Sequence, residues 1–386
     1  ELFAQKLDKQ SRLHPSTSSG QTAFSSVRGD HSTGLMTEGP STGVEWVSPE
    51  PSRGIEPYER VPIKTIFIGG GTPSLYPLPW ITELFKTIQE NFSIDSQPEI
   101  TIESNPADLS EERLDTWREC GINRLSTGIQ CLDDTVLQKL NRHQRLVDVE
   151  RTLRIAPKYF DNISVDFILG LPDISANAWI ETMQTAVTWP VQHMSIYFLT
   201  IYEKTPLSFA VQKGQTTLMN DDAMVALYEQ TIQILESCGF EQYEISNFAK
   251  AGFQSIHNRA YWDRKSYKGF GVGASSFDGK IRTTNTNNLK NYLKTAGQEP
   301  SEQEVITPKQ ELLELLMLGL RQKKGLDLHR VVYFLNTDQT EALKQNIKML
   351  VAQGLIEQEN SSIRLSTKGF SIENEVIVHL LSKIVS

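Results

Sequence analysis

Beyond residue 61 the apolar positions follow two alternating rhythms. Short β-rich runs at residues 64–68, 99–102, 124–127, 163–167 and 193–199 are each followed by apolar residues at helical spacing. These helical stretches span 78–90, 110–120, 133–140 with 147–158, 176–188 and 221–238. Five strands alternating with helices predict a parallel sheet, either open or closed into a barrel. The helix signals agree with these bounds. Ser110 precedes Glu111 and Glu112, Asp133 opens a short helix, and Gly121 and Gly239 stand where helices should stop. The first run, Lys64, Thr65, Ile66, Phe67 and Ile68, is mostly apolar, as in a strand covered on both faces.

The rhythm is absent earlier and changes later. Residues 1–10 have helical spacing, with Leu2, Phe3 and Leu7 on one side. Residues 11–60 are rich in Ser, Thr, Gly and Pro without apolar periodicity. Such a stretch buries too little surface to offset the entropy of ordering it, so it is expected to be a disordered insertion, with a binding loop as the alternative. A region at 61–298 holds the strand–helix repeats, and residues 299–386 form a separate module. There Leu312, Leu313, Leu316, Met317 and Leu320 line one face of a helix at 309–321. Two more helices are predicted at 326–335 and 341–353, and two strands at 354–357 and 363–365. Three helices and a hairpin predict a winged-helix shape.

Composition narrows the functional classes. With 39% hydrophobic and 22% charged residues the chain is an ordinary globular protein. A net charge of −9 argues against a broad nucleic-acid surface. The C-terminal helices also carry few Arg or Lys for phosphate contacts, so packing or covering a substrate is the expected role of that module. No stretch approaches the roughly 18 apolar residues of a membrane span, and no signal peptide opens the chain. Cys120, Cys131 and Cys238 are the three cysteines. Odd in number and far apart, they read as reduced thiols of a cytoplasmic protein.

Candidate chemistry gathers where the strands end. After the first come Gly69-Gly70-Gly71-Thr72-Pro73-Ser74, a turn without side chains at its centre, where main chain can approach a ligand closely. After the second comes Glu103, after the third Gly128-Ile129-Gln130, and Asp166 lies within the fourth. In a barrel these positions face one mouth, where Glu103, Gln130 and Asp166 converge on a polar ligand; alternatively they cap and tie their own loops. Arg142, between two helical stretches, is either a bidentate partner for a carboxylate or a solvated surface arginine. Near residue 257 stands His257-Asn258-Arg259-Ala260-Tyr261-Trp262. Its aromatics either wall a flat ligand with His257 as axial ligand or form a buried cluster with a hydrogen-bonded histidine. The Gly269, Gly271, Gly273 run lacks the Lys-Ser/Thr of a phosphate loop and the spacing of a dinucleotide fingerprint.

From residue 61 to its end the chain resembles the HemW family of radical S-adenosylmethionine (SAM) proteins, regarded as heme chaperones and related to oxygen-independent coproporphyrinogen III oxidases. The resemblance rests on residues 66–74, Glu103-Ser104-Asn105-Pro106, Ser126-Thr127-Gly128-Ile129-Gln130, residues 166–172, residues 243–247 and the block at 257–262. It implies an α/β fold: an incomplete (βα)6-type radical SAM partial barrel with a C-terminal winged-helix-like α+β domain. Gly70, Gly71 and Thr72 would hold the methionyl amine of S-adenosyl-L-methionine, and Arg142 its carboxylate. Glu103, Gln130 and Asp166 would supply the remaining polar contacts. His257, Asn258, Tyr261 and Trp262 match the family's HNxxYW motif, which is linked to heme. The implied partners are heme and a heme-acceptor protein such as a respiratory enzyme. One departure concerns the 4Fe-4S cluster: the family's Cys-x3-Cys-x2-Cys is missing, since no cysteine precedes Cys120. The resemblance therefore implies an N-terminally truncated member that keeps heme affinity and lacks radical chemistry. The alternatives are a coproporphyrinogen III oxidase and an inactive fragment.

Overall fold

The computed structural model describes residues 62–295, 300–382 and 384; the helix piece at 1–10 and the insertion at 11–60 lie outside them. Strands β1 (Ile63–Ile68), β2 (Ile94–Ser104), β3 (Arg124–Gln130), β4 (Ile163–Leu169) and β5 (His193–Phe198) pair in parallel in sequence order. Helices α1 (Leu78–Asn91), α2 (Glu111–Glu119), α3 (Asp134–Lys139), α4 (Leu146–Ile155) and α5 (Ala176–Ala186) connect them. After β5 come α6 (Pro206–Gln212) and α7 (Asp221–Ser237), then two short strands, β6 (Glu241–Gln242) and β7 (Asn247–Ala249). The sheet ends antiparallel, β7 on β5 and β6 on β7, so its order is β1-β2-β3-β4-β5-β7-β6. It curls into a half-barrel, as the sequence reading expects.

The pleat sorts the two faces of this sheet. Ile100, Ile102, Leu125, Val165, Phe167 and Met194 pack outward beneath the helices in one core that includes Trp117 and Trp179. The alternate positions are polar. Thr101 pairs with Arg124, Glu103 with Ser126, Ser126 with Ser164, Ser164 with His193, and Asp166 with Ser195. Register thus stacks polar residues in layers on the inner face, and this positions the site.

The next segment differs from the sequence reading. Helix α8 (Ile256–Trp262) lies against β1, and β8 (Ser275–Phe277), β9 (Ile281–Thr284) and β10 (Glu302–Val305) form a second, antiparallel sheet beside α9 (Leu289–Thr295). Because β10 pairs with β9, this sheet continues past residue 299. The glycine run at 269–273 enters β8, with Gly271 and Gly273 at positive φ.

The C-terminal module consists of α10 (Pro308–Leu320), β11 (Leu326–Asp327), α11 (His329–Val332), α12 (Thr337–Ala352), β12 (Ile356–Glu359), β13 (Ser362–Leu365), α13 (Thr367–Ser371) and α14 (Glu373–Leu381). The hairpin β12–β13 is the expected wing. The stretch 326–335, read as one helix, instead splits: Leu326 and Asp327 add a third strand to the wing before a single helical turn. The module has its own apolar core. It joins the barrel through main-chain bonds from Ile245 N–H to Arg321 O and from Lys323 N–H to Tyr243 O. Arg264 and Arg282 add a half-buried ionic network with Glu304, Glu311 and Glu314. No described helix is long and apolar enough to cross a membrane.

Candidate functional site

One pocket at the C-terminal ends of the parallel strands is lined by Gly71, Thr72, Pro73, Glu103, Ser104, Asn105, Ser126, Gly128, Gln130, Arg142 and Asp166. The strand-end carboxylates and amide singled out in the sequence therefore meet. The glycine turn is part of this wall. Gly70 and Gly71 have φ of 77° and 64°, a region open mainly to glycine. The Gly70 N–H donates to Glu103 Oε2 at 3.1 Å. Gly69 is needed for a different reason: a Cβ there would lie 2.5 Å from Phe67 Cε1 and 2.9 Å from the Glu103 carboxyl.

Gln130 is held in an unusual conformation. The pairing of β3 with β4 slips between Gly128 and Gln130, and Gln130 has φ 72°. A bulge at a strand end re-aims a side chain, and strain of this kind concentrates at ligand sites. Gln144 braces the bulge by donating to the carbonyls of Gly128 and Ile129, both at 2.8 Å. The result is a fully buried Gln130 amide whose oxygen and nitrogen both lack a protein partner. A buried amide left this way is costly and suits a ligand that offers both a donor and an acceptor. Gly128 makes the room, because a Cβ there would lie 2.6 Å from Gln130 Nε2.

The pocket's charges are strongly coupled. Burial pushes the Glu103 carboxyl up to about 8, and the nearby Asp166 adds to the effect. Burial also raises Asp166, against bonds from Ser195, Ser126 and Ser164. Arg142 is half-buried at the pocket wall, and partial burial makes it a weaker base while Asp166 opposes that change. Glu103 thus retains a proton in the folded protein over a range where the unfolded chain, near 4.5, has released it. Stability should therefore fall as pH rises from about 4.5 to about 8. Glu103→Gln is expected to flatten this slope in urea unfolding measured at pH 5, 6.5 and 8; an unaltered slope would contradict the assignment.

The HNxxYW residues stand apart from the pocket lining. They form α8, which lies on the inner side of β1. The His257 ring stacks on Phe67 (centroids 4.9 Å apart, 19° between planes) and Nδ1 bonds Thr65 Oγ1 at 2.9 Å. Thr65 and Phe67 alternate along β1 and so share that face. Burial, with Arg124 nearby, lowers the His257 pKa to about 4, so the ring is neutral at physiological pH. Tyr261 meets His257 edge-on and continues into Tyr267 and Phe277. Trp262 is buried, and the Asn258 N–H bonds the Ser255 cap. This is the packed alternative of the sequence reading: an aromatic cluster with a hydrogen-bonded histidine.

Sequence reasoning missed Ser126, Ser104 and Asn105 in the pocket, and Thr65, Phe67 and Glu99 around α8. The alternation of Thr65 with Phe67 and of Glu99, Thr101 and Glu103 was the available signal. It also missed a buried chain in which His193 bonds Ser164 Oγ at 2.7 Å and Tyr243 Oη at 2.8 Å.

The residues present answer differently for the two groups implied by the fold. An adenosyl amino acid fits the orphaned Gln130 amide, the carboxyl pair, Arg142 and the bare glycine turn. A 4Fe-4S cluster does not fit the cysteines. Cys120 packs toward Thr82 and Cys131 toward the Asp133 carbonyl, both buried, while Cys238 is exposed. No group of three possible metal ligands occurs among the described residues.

Comparison with known proteins identifies the family and the fold. The model of the radical SAM superfamily matches residues 46–186, and that of the HemN C-terminal domain matches 306–372. The heme chaperone HemW of Bacillus subtilis is 33% identical over 327 residues, covering 83% of this chain and 86% of that protein. HemW of Lactococcus lactis subsp. lactis is 31% identical over 326 residues, 84% and 86% of the two chains. The mitochondrial radical S-adenosyl methionine domain-containing protein 1 of Bos taurus is 29% identical over 337 residues, 83% and 76% of the two. Among solved structures, coproporphyrinogen III oxidase (HemN) from Escherichia coli superposes with a TM-score of 0.69 at 22% identity, over 82% of this chain and 77% of that one, a likeness of fold. With a shared radical SAM domain, a shared C-terminal domain and this identity along most of its length, the chain belongs to the HemW family.

Proposed function

We propose that this protein binds heme and passes it to an acceptor protein, with S-adenosyl-L-methionine as the ligand of its barrel pocket. The observation that carries the heme reading is His257. Its ring is neutral, half-buried and held at Nδ1 by Thr65, a state suited to binding heme iron through Nε2. The relatives named as heme chaperones, matched along most of their length, support the same reading. Heme is here the cargo. Tyr261 and Asn258 would border it, and Trp262 would support them from the core.

In the pocket, Gly70, Gly71 and Thr72 would take the methionyl amine, Arg142 the carboxylate, and Glu103, Gln130 and Asp166 the ribose and the remaining amino groups. When bound, S-adenosyl-L-methionine supplies an adenosyl group and a sulfonium. The residues of this chain bind and orient it, and the Glu103 carboxyl holds a proton beside it. The cysteines of this chain do not form a cluster site, and the proposed role of binding and transfer rests on His257. The acceptor is proposed to be a heme-requiring respiratory enzyme, met in the cytoplasm. In a titration with ferric heme, His257→Ala is expected to shift the Soret band and weaken binding about tenfold or more. An unchanged titration would remove His257 from the heme site.

A further inference from the structure

We infer that Glu99 is the positioning residue for His257, setting the orientation of the heme-binding imidazole from the floor of the barrel. The inference rests on the heme reading of His257 above. Glu99 lies on the inner face of β2, two residues below Thr101 and four below Glu103, and is buried at 6% exposure. Its carboxylate takes no part in the pocket lining. Instead it receives three hydrogen bonds from the start of α8, more than 150 residues away in sequence. Ser255 Oγ donates to Oε1 at 3.1 Å, the Ile256 N–H to Oε2 at 2.8 Å, and the His257 N–H to Oε1 at 2.8 Å.

A helix of seven residues has almost no autonomous stability, so its ends determine where it lies. Here the far end is also tied. Asp263, which follows Trp262, accepts from Lys324 Nζ at 2.6 Å and Gln322 Nε2 at 3.2 Å in the C-terminal module. Among the described residues, the backbone of the near end is held by Glu99 and the Ser255 cap. Because the carboxylate bonds the backbone N–H of His257 itself, it fixes the Cα from which the imidazole projects. Thr65 pairs with Glu99 across β1 and β2, so the group that holds the His257 backbone and the group that holds its Nδ1 stand side by side. In this arrangement the ring lies flat on Phe67. If Nδ1 carries the proton donated to Thr65, the Nε2 lone pair is free for the iron.

The test compares Glu99→Gln, Glu99→Asp, Thr65→Val and His257→Ala by ferric-heme titration of the full chain, with far-UV circular dichroism as the check on folding. Glu99→Gln keeps the volume but turns a donor toward the N–H groups. It is expected to reproduce the Soret position of His257→Ala and to weaken heme binding about tenfold. Glu99→Asp, which keeps the charge, is expected to restore part of the wild-type spectrum. Thr65→Val reads the same device without touching the helix cap and is expected to shift the Soret band in the same direction. A wild-type spectrum in Glu99→Gln, with His257→Ala altered, overturns the inference alone. An unaltered His257→Ala overturns the heme reading and the inference with it. If Glu99→Gln does not fold, Glu99→Asp decides: its shorter side chain is expected to displace the Soret band partway toward that of His257→Ala, and an unaltered spectrum overturns the inference.

Discussion

Glu373→Ala is expected to destabilise the protein by about 3–5 kcal/mol, the largest effect of any single change considered for this chain. Arg321 at the end of α10 is 7% exposed and Glu373 at the start of α14 is equally buried. The guanidinium grips the carboxylate from Nε at 2.9 and 2.8 Å and from Nη2 at 2.5 Å. Removing the carboxylate strands a buried cation, which costs far more than the pair gains over an apolar substitute. The damage should also spread to the joint. The Arg321 carbonyl accepts the Ile245 N–H, and next to it the fully buried Glu244, pushed up to about 7 chiefly by burial, is favoured in its ionised form by that same guanidinium. Urea unfolding followed by circular dichroism should show a lower midpoint in Glu373→Ala. Arg321→Met with Glu373→Leu, which removes both charges, should recover much of the loss. A single variant as stable as the wild type would show that the pair is not buried in solution.

Arg142→Ala is expected to weaken S-adenosyl-L-methionine binding by about 1.5–3 kcal/mol, read by calorimetry. Arg142 follows the turn at the end of α3, where Asn141 adopts φ 55° and the Arg142 N–H bonds the Leu137 carbonyl, so the side chain is delivered to the pocket by a fixed backbone. A planar guanidinium can meet a carboxylate with two parallel bonds, which a lysine cannot, so Arg142→Lys should restore only part of the affinity. Equal affinity in wild type and Arg142→Ala would remove this residue from the ligand's carboxylate.

Much of this architecture is already written in local pattern. Period-2 and helical rhythms identify the strands and helices, and Ser110, Asp133 and Gly121 mark their ends through bonds that span only a few residues. The strand-end rule then gathers Glu103, Gln130 and Asp166, because every parallel strand of a half-barrel delivers its C-terminal end to the same rim. The motifs that carry the family resemblance lie on that rim and on α8, except residues 243–247, which join β6 to β7 beside the C-terminal module. Other features depend on contacts between distant segments and cannot be read along the chain. Whether Arg142 is solvated or buried depends on what closes over it. Gln130 becomes an orphaned amide only because Gln144 and the β4 register force a bulge. The stretch 326–335 splits because Leu326 finds Ile363 as a strand partner. Alternation places Glu99 on the inner face of β2, but its partners appear only when α8 folds back onto β1. Local order follows from nearest neighbours in sequence, whereas burial, charge state and partnership are properties of neighbours in space, and only the folded chain brings those together.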